Sequence, residues 1–258
     1  GSVPRVYDKI HARIFQNLEN QSATKQKIFH WAVKVGKERL ALVEKKRPVP
    51  AGLALRYRIA DKLVFSKIKA RLGGRFQFCM SGGAPLAKDV AEFFWGAGVE
   101  VYEGYGLTET SPVLTCNTPK GWKLGSVGKA IAGVQIRIAE DGEVLAKGPN
   151  IMRGYWNKPE ETKKVFNAEG WFLTGDVGVV DRDGFLTITD RKKELIINAY
   201  GKNVAPSPIE EALKHIRYVT NAVLIGDKRK YLIALIVPNF ERLEAWASAN
   251  NVEFRSHT

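Results

Sequence analysis

Cysteine and histidine are scarce in these 258 residues: Cys79 and Cys116 show no CxxC spacing, and His11, His30, His215 and His257 form no ligand-spaced cluster. A disulfide framework and a structural zinc site are thereby excluded, and a reducing, cytoplasmic setting is expected. Cys79, closing a short apolar run, reads as a packed thiol. Long apolar runs are missing as well. Val219–Ile225 and Tyr231–Pro238 are too short to cross a bilayer, so a membrane contact would be peripheral. Acid is short in one place. Residues 1–75 hold 18 Lys+Arg against 5 Asp+Glu, whereas residues 76–258 hold 22 of each, so the net charge of +13 lies in the first segment. Read alone, that charge fits a solvated helical face, a weak contact with an anionic membrane surface, or nucleic acid.

With 45% hydrophobic and 26% charged residues the chain has the composition of a globular protein with a substantial core. Val3, Val6, Ile10, Ile14 and Leu18 recur at spacings of three and four, which predicts a helix. Two more helices are expected over about Ile28–Val43 and Leu53–Leu72, separated by Pro48 and Pro50 and ended by Gly73-Gly74. The pattern then changes to a strand at Arg75–Met80, a helix over about Leu86–Ala97 and a strand at Val99–Glu103, an order that implies parallel pairing through a right-handed crossover. From about Pro112 to Asp190 short strands alternate with turns such as Glu140-Asp141-Gly142-Glu143 and Asp181-Arg182-Asp183-Gly184, as in a small barrel-like β subdomain. Ser207-Pro208-Ile209-Glu210 has capping-box spacing with proline first, predicting a helix to about Ile216. Strands Val219–Ile225 and Tyr231–Val237 follow, and Asn239 can cap a helix over Phe240–Ala249.

The expected class is therefore α/β: a parallel-sheet subdomain with helices, a small β-barrel-like subdomain, and the start of an α+β domain. Residues 1–190 would form one large domain, made of a basic helical segment (1–74), an α/β segment (75–111) and a β-rich part (112–190). Residues 191–258 would begin a second, small one.

Loops at the carboxyl ends of parallel strands are where α/β folds bind ligands, and two candidate motifs fall there. Gly82-Gly83 in Ser81-Gly82-Gly83-Ala84-Pro85 leaves a flat slot for a planar ring, on which Tyr105 of Gly104-Tyr105-Gly106-Leu107-Thr108-Glu109 can stack. Thr108 adds a hydroxyl and Glu109 a carboxylate, the groups that hold a phosphate and its Mg²⁺. Asp176, ending Gly170-Trp171-Phe172-Leu173-Thr174-Gly175-Asp176, can accept from both ribose hydroxyls, and Arg191 can reach the same ribose or phosphate. Singly, each has a plainer explanation in tight turning, packing or a solvated surface.

The ordered set is more specific. SGGAP at 81–85, YGLTE at 105–109, GWFLTGD at 170–176 and DRKKELIINAYGKNVAPSPIEEAL at 190–213 resemble the adenylate-forming superfamily of acyl-CoA synthetases, luciferases and peptide-synthetase adenylation domains. Gly170–Glu194 resembles the signature of fatty acyl-CoA synthetases, of the long-chain fatty acid–CoA ligase type. The resemblance implies that Gly83, Ala84, Pro85, Glu103, Gly104 and Tyr105 line an adenine pocket, that Thr108 contacts the α-phosphate, and that Glu109 holds Mg²⁺. It implies Asp176 and Arg191 at the ribose, a pivot at Asp190–Lys193, and Gly201 beside a pantetheine channel that Tyr200, in place of a second glycine, would narrow. The implied partners are fatty acid, ATP and CoA, with no nucleic acid. The family's TSGTTGxPKG-like phosphate loop is expected upstream of residue 1 and its catalytic lysine beyond Thr258, so this chain is expected to be an inactive part of the enzyme. The alternative is a non-catalytic nucleotide or acyl-adenylate binding module.

Overall fold

The computed structural model describes residues 1–75, 77–214 and 216–252. The basic segment is helical as the spacing predicts. Helix α1 spans Pro4–Glu19, α2 Ala23–Glu44 and α3 Ala51–Ala60, and a π-turn at Asp61–Phe65 carries α3 directly into α4, Ser66–Arg71. Pro4 falls in the first turn of α1, where a missing N–H leaves no bond unmade. The inward positions bury Tyr7 and Leu18 from α1, Phe29, Ala32 and Val35 from α2, and Ala60, Val64, Phe65 and Ile68 along α3–α4.

These helices pack on a strand–helix–strand unit. Strands β1 (Cys79–Ser81) and β2 (Val101–Gly106) pair in parallel, Ser81 opposite Glu103, and α5 (Lys88–Gly96) joins them. The first strand is shorter than the sequence pattern predicts, beginning at Cys79 and not at Arg75. Phe76, within that expected strand, lies outside the described residues. Helix α5 buries Val90, Ala91, Phe93 and Phe94; Phe93 meets Phe15 at 5.6 Å and Phe29 at 6.3 Å, and Phe94 meets Tyr7 edge-on at 5.8 Å. Such ring pairs each contribute about 0.5–1.5 kcal/mol beyond the area they bury. Helices α2 and α5 touch backbone to backbone, since a Cβ on Gly36 would lie 2.7 Å from the Gly96 carbonyl oxygen.

From β2 the chain turns back as β3 (Val113–Cys116) and β4 (Lys129–Ala130), both antiparallel, so the first sheet is mixed with order β1-β2-β3-β4. A second four-stranded sheet contains β5 (Gln135–Ile138), β6 (Glu143–Lys147), β7 (Phe172–Val180) and β8 (Leu186–Arg191) in that order, with α6 (Pro159–Lys164) between β6 and β7. Its hairpins use the turns read from the sequence. Asp181 Oδ1 accepts from the Asp183 and Phe185 amides, and Gly184 takes φ +83°.

By contacts the chain divides into two units: Gly1–Ala139 with Leu145–Thr174 and Val179–Ile188, and Glu140–Val144 with Gly175–Gly178 and the residues from Thr189 onward. The second unit contains the short antiparallel pair β9 (Ile196–Ile197) and β10 (Asn203–Val204), helix α7 (Pro206–Lys214), the antiparallel pair β11 (Val219–Ile225) and β12 (Ile233–Pro238), and α8 (Phe240–Ala249). Asn239 caps α8 by accepting from the Arg242 amide. The capping box expected at Ser207 is not formed. Helix α7 already starts at Pro206, the Ser207 hydroxyl donates to Asp190 Oδ1, and Glu210 Oε1 accepts from the Leu224 amide instead of reaching back along its own helix. His215, in the expected last turn, lies outside the described residues.

Candidate active site

Eight of the ten expected site residues belong to the first unit. Ser81 ends β1 and is buried, and its hydroxyl finds no hydrogen-bond partner among the described residues. Gly83, Ala84 and Pro85 follow it as an exposed loop. Glycine is required in this loop for two reasons: Gly83 has φ +86°, and a Cβ on Gly82 would come within 3.3 Å of the Gly104 carbonyl oxygen. The strand pairing thus brings the two glycine-rich segments together, as their sequence positions imply. Glu103 is 7% exposed, accepts from the Leu86 amide, and is pushed by burial up to about 7. Tyr105 is half-buried and packs partly against Leu114, Val134 and Ala146.

Thr108 and Glu109 occupy a 3₁₀ turn, Thr108–Thr110, directly after β2, with Thr108 exposed and Glu109 half-buried. Thr110 holds the turn from inside: its Oγ1 accepts from the Leu107 amide at 2.9 Å and lies 2.6 Å from the Pro112 carbonyl oxygen. A second segment clamps it from outside. Asn150 Nδ2 donates to the Thr110 and Val113 carbonyls, the Met152 amide donates to the Glu109 carbonyl, and the Tyr155 hydroxyl donates to Glu109 Oε1 at 2.9 Å. Burial, with the neighbouring Glu109 carboxylate, raises the Tyr155 phenol above its ordinary value. Asn150 and Tyr155 were not singled out from the sequence; the one local signal is the run Arg153-Gly154-Tyr155-Trp156, an aromatic pair behind a glycine.

The remaining two residues belong to the second unit. Asp176, on β7, is 4% exposed, and Arg191 at the end of β8 places Nε 3.3 Å from its Oδ1. These two residues, 15 positions apart in sequence, are brought together as an ion pair. Around them sits a set of charges that sequence reasoning did not resolve. Lys192 Nζ lies 2.6 Å from both Asp141 Oδ2 and Glu143 Oε2, and Glu143 Oε1 accepts from the Gly175 amide. The Lys192 bond holds the Asp141 carboxyl below its usual range, and the two carboxylates hold the Lys192 ammonium above its own. Asp190, buried, accepts from the Arg191 amide and from both the amide and hydroxyl of Ser207. Tyr200 and Gly201 are exposed, Gly201 at φ +74°.

Mg²⁺ is compatible with this arrangement in one mode. Among the described residues no group of three His, Cys, Asp or Glu side chains could enclose a metal. Magnesium bound beside a nucleotide takes one or two protein carboxylates and completes its shell with phosphate and water, and Glu109, steadied by Tyr155, can supply one.

The first unit thus carries an exposed glycine-rich loop after one parallel strand and a hydroxyl–carboxylate turn after the next, and the second carries buried Asp176 against an exposed Arg191; loops at the carboxyl ends of parallel strands are where α/β enzymes bind ligands. The chain belongs to the AMP-binding enzyme family: residues 1–156 match that family and residues 193–255 its C-terminal domain. It is 42% identical over 252 residues to Long-chain-fatty-acid–CoA ligase FadD15 of Mycobacterium tuberculosis, covering 97% of this chain and 41% of that protein. It is 38% identical over 243 residues to Long-chain-fatty-acid–CoA ligase ACSBG1 of Homo sapiens, covering 91% and 33%. A similar solved structure is that of o-succinylbenzoate coenzyme A synthetase from Bacillus subtilis in complex with ATP and magnesium, with TM-score 0.58, 31% identity and coverage of 67% of this chain and 40% of that one. The chain thus spans well under half the length of these relatives.

Proposed function

We propose that this chain is part of an AMP-forming long-chain fatty acid–CoA ligase. In the reaction the fatty carboxylate attacks the α-phosphate of ATP, forming acyl-AMP and releasing pyrophosphate; the CoA thiol then attacks the acyl carbonyl and AMP leaves. Gly83, Ala84, Pro85, Glu103, Gly104 and Tyr105 would line the adenine pocket. Thr108 would donate to the α-phosphate, and Asp176 with Arg191 would hold the ribose. Mg²⁺, held through Glu109, would neutralise phosphate charge. Such chemistry depends on positioning and preorganised charge, and needs no side-chain nucleophile. The observation that carries the reading is the clamped Thr108–Thr110 turn, which follows β2 and holds the Glu109 carboxylate next to Thr108.

The chain alone would bind AMP weakly and turn over nothing, because its 258 residues contain no TSGTTGxPKG-like run to orient the β- and γ-phosphates. A second reading, a non-catalytic nucleotide or acyl-adenylate binding module, rests on the same absence. Pyrophosphate release with fatty acid, ATP and CoA separates them when measured both on this chain and on the same residues within a full-length ligase. Thr108→Ala and Glu109→Ala there should each lower turnover by about 10²–10³-fold; unchanged turnover would sink the assignment. Calorimetry with AMP tests the ribose pair, since an affinity unaltered by Asp176→Ala would place the ribose elsewhere. Beyond fatty acid, ATP and CoA, the proposed partner is an anionic membrane surface met through residues 1–75.

A further inference from the structure

The last part of that reading can be narrowed to one helix face. From Ala51 to Arg71 the chain forms a continuous helical rod, α3, the π-turn and α4, whose inner side buries Ala60, Val64, Phe65 and Ile68. Its outer side is also apolar. Leu55, Ile59 and Leu63, spaced by four, are 59%, 45% and 44% exposed. Three such residues in a row along about 12 Å of helix are not scattered surface leucines.

Arg58, Lys62, Lys67 and Arg71 are exposed on the same rod. The other cations there are engaged, Arg56 with Glu38 and Lys69 with Asp61, whereas none of these four joins an ion pair among the described residues. Asp61 is the rod's one acidic residue. An apolar stripe flanked by unopposed cations fits a surface that is itself two-layered, with anionic headgroups over acyl chains. A nucleic acid would use the cations but leave the stripe in water.

We infer that the outer face of α3–α4 rests on anionic lipid, with Leu55, Ile59 and Leu63 entering the headgroup boundary and Arg58, Lys62, Lys67 and Arg71 contacting phosphate. The inference rests on the membrane-surface reading above and is independent of the ligase assignment. Each basic residue near an anionic surface gives about a five-fold gain in partitioning, and that gain fades with salt as the screening length falls to about 3 Å at 1 M.

Co-sedimentation with phosphatidylcholine vesicles, with and without 30% phosphatidylglycerol, tests this. The chain should pellet with the anionic vesicles and be released by 1 M salt. The triple variant Leu55→Asn/Ile59→Asn/Leu63→Asn should bind at least ten-fold more weakly, as should Lys62→Glu/Lys67→Glu. A control with Val223, Leu235 and Val237 changed to Asn, exposed apolar residues of the second unit, should bind as the parent does. Circular dichroism melting checks that each variant is folded. If the unaltered chain binds neutral vesicles equally well, the membrane-surface reading falls. Should it bind anionic vesicles while both α3–α4 variants keep full affinity, only the placement on this face falls. Displacement from vesicles by an oligonucleotide at equal phosphate concentration would favour nucleic acid and overturn the proposal.

Discussion

Glu103 in the first unit and Asp176 in the second are both buried carboxyls, 7% and 4% exposed, yet their surroundings differ in kind. Glu103 joins no ion pair among the described residues and takes one amide donor from Leu86, so burial dominates and it holds its proton up to about pH 7. Asp176 lies against the Arg191 guanidinium, and its neighbours Glu143 and Asp190 are held by Lys192 and by three donors from Arg191 and Ser207. Burial by itself therefore does not fix what a carboxyl does. One position can switch between neutral donor and anionic acceptor near neutrality, while the others sit among positioned donors.

Substitutions can break this contrast, beginning where the effect is largest. Asp190→Ala leaves the Arg191 amide at the end of β8 and the amide and hydroxyl of Ser207 at the start of α7 without their acceptor, and should cost about 3 kcal/mol in urea unfolding, with Asp190→Asn costing about a third of that. Glu103→Gln should act in the opposite direction. Its folded-state value lies above the ordinary 4.5, so the folded chain binds the proton more tightly, and stability is fullest below 4.5 and falls as pH rises to about 7. At about 1.4 kcal/mol per pH unit the glutamine variant should gain about 3.5 kcal/mol at pH 8 and nothing at pH 4. An equal gain at both pH values would show that Glu103 is not the titrating group.

Lys192→Met comes next. It strands the buried Glu143 carboxylate, but Lys192 itself is 45% exposed, so solvent screening limits the loss to about 1–2 kcal/mol at pH 7, recovered in part by adding Glu143→Gln. The depressed Asp141 carboxyl adds a pH signature: its contribution is present above the ordinary 3.8 and is lost as pH falls below it. The smallest effect is expected for Arg191→Met, about 0.5–1 kcal/mol, because that guanidinium is 63% exposed. A loss larger than that of Lys192→Met would mean that Arg191 supports the fold and not chiefly a ligand.

What the sequence disclosed and what it hid divide by distance along the chain. Helices α1 and α2, the Asn239 cap and the Asp181 turn were legible because each depends on residues within one or two helical turns or a hairpin. The third helix was legible in extent but not in its π-turn, since Ala60, Val64, Phe65 and Ile68 still read as an ordinary apolar face. The two glycine-rich loops were placed correctly because parallel pairing through one helix follows from strand order. Tyr155 with Glu109 is 46 residues distant, Lys192 with Glu143 is 49, and Ser207 with Asp190 is 17. Such pairs leave no periodicity to find. Ser207 was misjudged for this reason: its local spacing offered a capping partner, and the buried Asp190 carboxylate of β8 accepts from its amide and hydroxyl instead.

The contact between Gly36 and Gly96 has a consequence for how the chain forms. A glycine inside a helix weakens it by about 1 kcal/mol relative to alanine, and here that weakness is offset only once α5 has docked. Helix α2 should therefore be conditionally ordered during synthesis, frayed about Gly36 until the polypeptide through Gly96 has left the ribosome and can close the intervening loop. Hydrogen exchange on chains halted before and after Gly96 would show this as protection around Gly36 that appears only in the longer one. In a nascent chain, a helix made before α5 would thus become stable only after it.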